Sequence, residues 1–414
     1  MGSRLVSTDF SRVPVGPARD LRLIVTGGGT GGHTYPALTA VRALQSRLAA
    51  AGRMLEVLWV GKADSLEERV AAAEGIRFAS VATGKIRRSS NPLKMVSPAN
   101  VKDMGRVPLG VLQARRVLTG FRPDVVLATG GYVAVPVGLA ARMTHCPLVV
   151  HEQTVRLGLA NRSLAGRATC VAVSSDSTLE LLPESARATA VVTGNPVRPE
   201  ILTGRADQAV QALGLHGFVR RLPTVYVTGG AQGSQQINTL VRDILPWLLQ
   251  RANVVHQCGP DNVTELRQHT AALPADLAAR YLLTGYVGAE LPDVLALADV
   301  VISRSGAGTI AELTALGKAA VFIPLATSAG NEQAHNARHL QETGAAIALL
   351  GEATPDTLQA AVEPLIADSH RRTAMAGRAR AAGRPDAAER LVDVVLAAAT
   401  GRGTTRGAAR HRAR

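Results

Sequence analysis

The chain has 414 residues, which is enough for two domains of ordinary size, each with its own hydrophobic core. Its hydrophobic content of 46% favours a folded protein, and its aromatic content of only 3% argues against a nucleic-acid binder built on base stacking. The formal net charge of +14 favours anionic ligands or an anionic surface. Several of these charges lie in residues 401–414, so the body of the chain is less basic than the total.

The cysteine spacing and the lengths of the apolar runs indicate the cellular compartment and the relation to the membrane. Cys146, Cys170 and Cys258 are far apart, which argues against a disulfide framework or a Cys-rich zinc site and fits a reducing cytoplasm. The first twenty residues lack the apolar centre of a signal peptide, and no run of about 18 apolar residues occurs. We therefore expect no spanning segment, and any membrane contact would be peripheral.

In the first half, short β-branched runs alternate with Ala- and Leu-rich helical stretches. Strands are predicted at residues 21–26, 55–60, 78–83, 124–128, 147–150, 169–173 and 190–193, and the first helix at residues 36–50. This β-then-α order predicts a parallel sheet covered by helices on both faces.

The pattern breaks at about residues 204–222 and then begins again. Strands are predicted at residues 224–228, 253–256, 281–284, 299–303, 319–323 and 346–349, and helices from residue 237 and at residues 357–366 and 387–399. The predicted organisation is a flexible extension (1–20), a first Rossmann-like domain (21–200), a linker (201–222), a second Rossmann-like domain (223–399) and a basic disordered tail (400–414). Two such doubly wound α/β domains, facing each other, would bind ligands in the cleft between the carboxyl ends of their strands.

A glycine-rich turn at residues 27–33 lies between the first strand and the first helix. Such a turn lets backbone amides approach an anion at a helix N-terminus. Gly27, Gly29 and Gly32 also match the G-x-G-x-x-G pattern of dinucleotide enzymes, but the second predicted strand runs into Gly61-Lys62 without the acidic residue that holds a ribose. Glycines serving tight packing alone remain an alternative.

Two more turns of this kind follow strands, at residues 129–133 and 228–234. Three glycine turns, each directly after a strand, are difficult to explain by packing alone. They suggest at least two phosphate-bearing ligands.

Polar clusters follow two strands of the second half. Ser303-Arg304-Ser305-Gly306 precedes a helix that carries Glu312. The helix start suits a diphosphate, and a carboxylate suits the vicinal diol of a ribose, although a solvated helix glutamate is the plainer alternative. Residues 331–336 offer amide and carboxylate groups suited to a hexose, with helix capping by Asn331 as the alternative.

His33 closes the first glycine turn and is the candidate general base, since an imidazole accepts a proton near neutral pH. A structural role is the alternative for a lone histidine. No H-E-x-x-H, close Asp pair or G-x-S-x-G occurs, so neither metal catalysis nor serine hydrolysis is indicated.

Taken together, these segments resemble the MurG family of bacterial peptidoglycan glycosyltransferases over about residues 21–396. The matching pieces share their order along the chain. They are Gly28-Gly-Thr-Gly-Gly-His33-Thr-Tyr-Pro36-Ala37, Gly84-Lys85-Ile-Arg87-Arg88, His151-Glu152-Gln153, Gly194-Asn195-Pro196-Val-Arg198, His256-Gln257, Ser303-Arg-Ser-Gly306 with Glu312, and Gln333 with Asn336.

The resemblance implies a GT-B fold and an inverting reaction without a metal or another cofactor. The enzyme would transfer N-acetylglucosamine from UDP-N-acetylglucosamine to the muramyl sugar of the lipid-linked diphosphate lipid I, giving lipid II for peptidoglycan synthesis. It would act as a peripheral protein on the cytoplasmic face of the cell membrane, with no nucleic-acid partner.

The resemblance also implies roles for individual residues, with His33 as the base. The donor-binding candidates are Thr30, Gly31, Gly32, Arg198, Gln232, Tyr286, Val287, Ser305, Gly306, Glu312, Glu332, Gln333 and Asn336. Within that set, Tyr286 and Val287 would lie beside the uracil and Glu312 on the ribose. The acceptor-binding candidates are Gly28, Gly29, Gly130, Gly131, Tyr132, His151, Glu152 and Thr154.

The sequence departs from the family pattern mainly in the acceptor half. Ala134-Val135 stands where Ser-Gly is usual, Thr154 stands where Asn or Ser is common, and Ala231 replaces a serine in the third glycine turn. Alternatives are therefore a related transferase with another lipid or secondary-metabolite acceptor, a UDP-N-acetylglucosamine 2-epimerase, and a non-catalytic scaffold. The basic stretch 85–104 would either touch the membrane or form a solvated loop.

Overall fold

The computed structural model describes residues 20–84 and 98–401, with only the backbone described for residues 98–104 and Ala329. Residues 1–19, 85–97 and 402–414 lie outside the described residues, and with them the extension, the tail and most of the basic stretch 85–104. The chain divides into two compact units. Unit 1 takes in the described parts of Met1–Gln153, Leu157–Thr193 and Ala387–Arg414, and unit 2 takes in Thr154–Arg156 and Gly194–Asp386.

Unit 1 contains a seven-stranded sheet with the order β3-β2-β1-β4-β5-β6-β7. Its strands are β1 (Leu21–Gly27), β2 (Leu55–Gly61), β3 (Arg77–Ser80), β4 (Val125–Gly130), β5 (Leu148–Glu152), β6 (Cys170–Val173) and β7 (Ala190–Val192). Its helices before the crossing into unit 2 are α1 (Gly31–Ala50), α2 (Leu66–Ala73), α3 (Pro98–Phe121), α4 (Ala134–Met143), α5 (Leu159–Ala165) and α6 (Glu184–Arg187), with a 3-10 turn at Asp176–Leu181.

All strand pairs in this sheet are parallel. Alternate residues of the central strand β1 point to opposite faces, so Leu23 and Val25 pack in the cluster that holds α1, and Ile24 packs in the cluster that holds α3 and α4. Both faces are therefore buried, which explains the almost continuous Val, Ile and Leu runs in the strands.

Unit 2 contains a six-stranded parallel sheet with the order β10-β9-β8-β11-β12-β13. Its strands are β8 (Thr224–Thr228), β9 (Asn253–Gln257), β10 (Tyr281–Thr284), β11 (Val300–Ser303), β12 (Ala319–Phe322) and β13 (Ile347–Ala348). Its helices are α7 (Ala206–Ala212), α8 (Gln235–Leu249), α9 (Val263–Thr270), α10 (Ala275–Ala278), α11 (Leu291–Leu297), α12 (Ala307–Leu316), α13 (Glu332–Glu342), α14 (Pro355–Ala367) and α15 (Ser369–Ala382), with 3-10 turns at Pro199–Thr203, Pro260–Asn262 and Ala329–Asn331.

The first six strands of each unit follow the same spatial order, with the first strand of the unit inside the sheet and the direction of winding reversed beside it. In such a sheet the loops at the carboxyl ends of the strands next to the reversal are the usual ligand site. In unit 1 these loops follow β1 and β4, and in unit 2 they follow β8 and β11.

The last helix, α16 (Ala387–Ala399), belongs to unit 1 although the sequence analysis placed it in the second domain. Leu391 and Val395 pack in the same cluster as Leu44 and Leu48 of α1. The unit boundary also falls at Gly194 instead of residue 200, and the segment predicted as a linker contains α7, which packs in unit 2 against α11.

Among residues 20–84 and 98–401, no helix is both long and apolar enough to cross a bilayer.

Candidate functional site

The first glycine turn connects β1 to α1 and is supported from below by a buried carboxylate. Glu67 in the first turn of α2 is fully buried, and its Oε2 accepts the N–H of Gly29 at 3.1 Å while its Oε1 accepts the N–H of Lys62 at 3.4 Å. The N–H of Gly28 points to the carbonyl of Gly130 at 3.4 Å. Thus Gly28 and Gly29 already have partners, whereas the amides at the start of α1, at Thr30, Gly31 and Gly32, have none among the described residues and are available for an anion.

The first and second glycine turns are in close van der Waals contact. A Cβ at Gly27 would lie 1.8 Å from Oγ1 of Thr129, and a Cβ at Gly131 would lie 2.2 Å from the carbonyl oxygen of Gly28. Gly131 also has φ = 78°, in the region that favours glycine. Close packing therefore explains several of these glycines, which is the alternative that the sequence left open.

His33 lies at the start of α1, against the second glycine turn. The ideal Cβ position of Gly130 is 3.1 Å from both Cε1 and Nδ1 of the ring. Nδ1 is 3.0 Å from Oε1 of Gln153, and the carbonyl of His33 accepts a hydrogen bond from the hydroxyl of Thr129 at 2.8 Å. The ring therefore packs against Gly130 and contacts the side-chain amide of Gln153 through Nδ1.

The His151-Glu152-Gln153 segment ends β5 and is almost completely buried. The amide nitrogen of Asn161 donates to the carbonyl of His151 at 3.1 Å and to Oε2 of Glu152 at 2.9 Å. The same Oε2 accepts the N–H of Gly158 at 2.8 Å. His151 and Glu152, predicted to bind the acceptor, thus form part of the frame that anchors Gln153.

The remaining acceptor candidates differ in position. Tyr132 is half-buried beside the first turn, and burial together with the negative charge of Glu67 raises the pKa of its hydroxyl. Thr154 is buried and donates its hydroxyl hydrogen bond to the carbonyl of Arg156, within the short segment that belongs to unit 2. The structure therefore places Tyr132 and Thr154 in different units.

In unit 2 the third glycine turn leads into α8, which Ser234 caps by accepting the N–H of Ile237 at 3.3 Å. Arg304, from the loop after β11, donates to Oγ of Ser234 at 2.7 Å and to the carbonyl of Ile323 at 2.9 Å. Burial lowers the pKa of this guanidinium. Arg304 therefore ties together the loops that follow β8, β11 and β12, with Gln232 exposed on the first of them.

The loop that carries Tyr286 and Val287 is fixed by a buried glutamine. Oε1 of Gln257 accepts the hydroxyl of Tyr226 at 2.9 Å and the N–H of Val287 at 3.2 Å, and its amide nitrogen donates to the carbonyl of Gly230 at 2.9 Å. Val287 is buried, whereas the Tyr286 side chain is 62% exposed. Of the two predicted uracil neighbours, only Tyr286 presents its side chain to solvent.

Glu312 lies in the second turn of α12, whose start at Gly306 has no side-chain cap. Its Oε1 accepts hydrogen bonds from both Nε and Nη2 of Arg198, at 3.0 and 2.8 Å. Burial raises the pKa of Glu312, and the hydrogen bonds and charge of Arg198 oppose that shift. The structure thus unites two predicted donor residues that are 114 positions apart in the chain.

The cluster at the start of α13 is largely engaged within the protein. Asn336 is 4% exposed, and its amide accepts the N–H of Val155 at 3.2 Å and donates to the carbonyl of Ser305 at 3.3 Å. Gln333 accepts the N–H of Leu325 at 3.0 Å, and Ser305 donates to the carbonyl of Gln333 at 2.8 Å. These contacts give Asn336 and Ser305 a role in shaping the loop before α12, while Glu332 beside them is half-buried.

Four residues important to this geometry were not among the predicted site residues: Glu67, Gln153, Gln257 and Arg304. Gln153, Gln257 and Arg304 stood in the motifs that carried the resemblance, at the carboxyl ends of strands or directly after them, and that position was the available signal. Glu67 had none, since an acidic residue in a first helical turn is common without any ligand.

The predicted donor residues are divided between the units. Thr30, Gly31 and Gly32 lie in unit 1, and the other donor candidates lie in unit 2.

Comparison with known families and proteins agrees with the two-unit architecture. The glycosyltransferase family 28 N-terminal domain matches residues 23–173, and the glycosyltransferase family 28 C-terminal domain matches residues 224–391. Together the two matches cover most of both sheets.

Similar proteins include curated bacterial enzymes named UDP-N-acetylglucosamine--N-acetylmuramyl-(pentapeptide) pyrophosphoryl-undecaprenol N-acetylglucosamine transferase. The enzyme of Lachnospira eligens is 36% identical over 84% of this chain and 92% of its own length. That of Listeria welshimeri is 34% identical over 91% of this chain and 99% of its own length.

Among solved structures, MurG of Acinetobacter baumannii is 27% identical, with a TM-score of 0.69 over 91% of this chain and 99% of that one. A UDP-GlcNAc 2-epimerase from Neisseria meningitidis reaches a TM-score of 0.61 at 16% identity, a likeness that shows the fold alone. The predicted GT-B α/β fold is confirmed, and the chain is a hexosyltransferase. It belongs to glycosyltransferase family 28 and, within that family, to the MurG group of N-acetylglucosamine transferases.

Proposed function

We propose that this chain transfers N-acetylglucosamine from UDP-N-acetylglucosamine to the muramyl sugar of lipid I, giving lipid II. The names of its relatives specify this donor and an undecaprenol-linked acceptor. The structural observation that carries the proposal is Glu312, a largely buried carboxylate on an uncapped helix with only Oε1 engaged by Arg198 among the described residues.

The donor half of the proposal rests on unit 2. Oε2 of Glu312 would accept a ribose hydroxyl, since the two hydrogen bonds from Arg198 favour the ionised form of the carboxylate and fix its position. The amides at the start of α12, after Gly306, would face the diphosphate, where the helix dipole favours negative charge. Gln257 holds the loop of Tyr286 and Val287, the proposed uracil contact.

The acceptor half rests on unit 1. His33 would take the proton of the acceptor hydroxyl as that oxygen forms its bond to the anomeric carbon. The bond between the anomeric carbon and the β-phosphate oxygen would break, and its electron pair would leave with UDP. A single displacement of this kind inverts the anomeric centre, and fixed amides at a helix start stabilise the charge that develops on UDP.

A lipid-linked acceptor requires access to a membrane surface, and α3 offers a suitable face. Leu109 and Leu112 are 51% and 53% exposed, and Arg106 and Arg116 on the same helix are exposed as well. Spacings of three and four residues place these side chains on one side of the helix. We propose that this side contacts the anionic cytoplasmic leaflet, as expected for a peripheral protein.

The test is release of UDP from UDP-N-acetylglucosamine by the purified full-length chain, with and without a lipid I analogue. Release should depend on the analogue and should fall about 100-fold or more in kcat/KM in Glu312→Ala, because the ribose loses a charged hydrogen-bond acceptor. Glu342→Ala, an exposed glutamate at the end of α13, is the matched control and should keep the activity. Release that ignores the analogue would refute the acceptor assignment, and full activity in Glu312→Ala would refute the donor site.

A further inference from the structure

Gln153 lies between two histidine rings and contacts both of them. Its Oε1 is 3.0 Å from Nδ1 of His33, and its Nε2 is 3.1 Å from Nδ1 of His151. Nε2 is also 2.9 Å from the carbonyl oxygen of His151. Gln153 is only 4% exposed, and within residues 20–84 and 98–401 these atoms are the hydrogen-bonding partners of its side-chain amide.

The contact with the backbone carbonyl fixes the orientation of this amide. A carbonyl oxygen only accepts hydrogen bonds, so the Gln153 atom 2.9 Å away must be the NH2 group. The reverse orientation would place two carbonyl oxygens against each other in a buried site, which is unfavourable. Oε1 therefore faces His33.

This orientation determines which ring nitrogen of His33 carries the proton. Oε1 of Gln153 is an acceptor, so Nδ1 of neutral His33 has to be the N–H that donates to it. Nε2 of the same ring then holds a lone pair. By the same reasoning Nδ1 of His151 accepts from Gln153, and the proton of neutral His151 lies on its Nε2.

We propose that Gln153 is a positioning residue that fixes His33 in the Nδ1–H tautomer, so that Nε2 is the atom that accepts the proton of the acceptor hydroxyl. The proposal rests on the proposed function in so far as it concerns catalysis. Its physical basis is general, since the hydrogen bond made by one imidazole nitrogen sets the protonation of the other, and a base in the wrong tautomer is inactive.

The residues around His33 and Gln153 explain why the ring and the amide keep one arrangement. The His33 ring lies against Gly130, where a Cβ would come within 3.1 Å of it, and the His33 carbonyl is held by Thr129. The His151 carbonyl that orients Gln153 also accepts the amide of Asn161 at 3.1 Å. Both ends of the His33–Gln153 hydrogen bond are therefore anchored to β4, β5 and α5.

The direct test is nitrogen NMR of the full-length chain labelled at the histidine ring nitrogens. The chain has 10 histidines, and the His33 signals are assigned by their loss in His33→Gln. At a pH where the ring is neutral, Nδ1 of His33 should have the shift of a protonated nitrogen and Nε2 that of an unprotonated one. The opposite pattern in the unmutated protein would overturn the proposal without any need for a Gln153 variant.

In Gln153→Leu the leucine offers no acceptor, so the His33 signals should move toward the Nε2–H tautomer. Gln113→Leu is the matched control, because Gln113 is another partly buried glutamine of unit 1 whose Oε1 accepts a backbone N–H, that of Ala82 at 2.7 Å. The control should leave the His33 signals unchanged. An unchanged His33 tautomer in folded Gln153→Leu would also overturn the proposal.

A kinetic cycle separates a positioning role from a general structural one. Gln153→Leu should lower kcat about tenfold or more, with the KM for UDP-N-acetylglucosamine changed less than about twofold, because proton acceptance is affected and donor binding is not. In a His33→Gln background the same substitution should have little further effect on kcat. If the kcat losses of the two substitutions simply multiplied, the proposal would be contradicted. A wild-type chain without acceptor-dependent UDP release would refute the proposed function, and the NMR result would then decide the tautomer.

Discussion

In buried histidines of this chain, an amide partner of fixed orientation determines which ring nitrogen carries the proton. His256 in β9 is 1% exposed, and its Nε2 is 3.1 Å from Oδ1 of Asn238, whose amide nitrogen donates to the carbonyl of Cys258. Nε2 of His256 therefore donates, and Nδ1 accepts the hydroxyl of Tyr281 at 3.0 Å. A neutral ring satisfies both contacts, and burial lowers the pKa of His256 to about 4.

This residue predicts an acid-dependent loss of stability in unit 2. The folded pKa of about 4 lies below the ordinary value of 6.5, so the unfolded chain binds the proton first as the pH falls. Stability is therefore fully present above about pH 6.5 and is lost progressively as the pH falls toward 4. Between pH 7 and 4.5 the loss from His256 should be about 2 kcal/mol.

The measurement is urea unfolding against pH for the parent chain and His256→Gln, whose amide can donate to Asn238 and accept from Tyr281. A Trp59→Phe background leaves Trp247 of unit 2 as the only tryptophan reporter. The free energy of unfolding should fall less steeply with acid in His256→Gln. Equal slopes in the two proteins would show that His256 does not titrate on unfolding.

The sequence singles out residues of the type that bind ligands more readily than the residues that hold them in place. His33, Glu312 and the glycine turns stand out because each follows a strand or opens a helix. Glu67, Gln257 and Arg304 act through partners from 5 to 70 positions away. The motifs at the strand ends mark Gln257 and Arg304, but they do not show which groups these side chains contact. Asn336 and Ser305 have the side chains of ligand contacts, but their hydrogen bonds are made within unit 2.

Secondary-structure elements were predictable because strand and turn signals agree with each other along the chain. β8 and β10 have the predicted bounds, and α16 has both of its predicted ends. α1 starts at Gly31, five residues before the predicted start at Pro36, and it contains Pro36 in its second turn although an interior proline removes a backbone hydrogen bond. α15 was not predicted, since its many arginines and small residues show no apolar stripe.

Because the first two glycine turns are in close contact, we expect alanine substitutions at two glycines of unit 1 to change stability in opposite directions. Gly131→Ala should destabilise the chain by about 2 kcal/mol or more, because φ is 78° and the new Cβ would lie 2.2 Å from the Gly28 carbonyl oxygen. Gly120→Ala in α3 meets nothing within 4 Å and should stabilise by about 0.5–1 kcal/mol. Thermal unfolding of both variants checks the pair, and a neutral Gly131→Ala would contradict the proposed contact.

From the exposed side of α3 we predict that binding to membranes can be reduced separately from catalysis. Leu109→Gln with Leu112→Gln should reduce co-sedimentation with anionic vesicles about fivefold or more, because both the apolar and the basic contacts are needed for stable peripheral binding. Met54→Gln, at a side chain 72% exposed in the same unit, is the control and should sediment like the parent chain. Unchanged sedimentation of the double variant would exclude this face as the contact.

The chain leaves unit 1 after Thr193, forms unit 2 and returns to unit 1 at Ala387. α16 completes the core of unit 1 through Leu391 and Val395, and Asp393 pairs with Arg47 of α1. The sequence predicted α16 as a helix but not its unit, because an amphipathic stripe shows that a face is buried and does not show against what. Its partner α1 lies more than 300 residues earlier in the chain.

The returning helix predicts that the two units respond differently to truncation. Ending the chain after Asp386 removes α16 and exposes the apolar face of α1, so unit 1 should unfold or aggregate while unit 2 keeps its complete set of strands. Ending it after Gly401 removes none of the described residues and should leave the stability of both units unchanged. Leu391→Ala is a milder probe that should cost unit 1 about 2–5 kcal/mol by leaving a cavity against α1.

Limited proteolysis followed by mass spectrometry of the fragments separates these outcomes. In the chain that ends after Asp386, fragments of unit 1 should be cut rapidly, and a resistant fragment beginning near Gly194 should remain. Equal resistance of both units after the loss of α16 would mean that the strands and the first six helices of unit 1 are sufficient for its stability. Loss of both units together would mean that the chain unfolds as one cooperative body in spite of its division into two compact units.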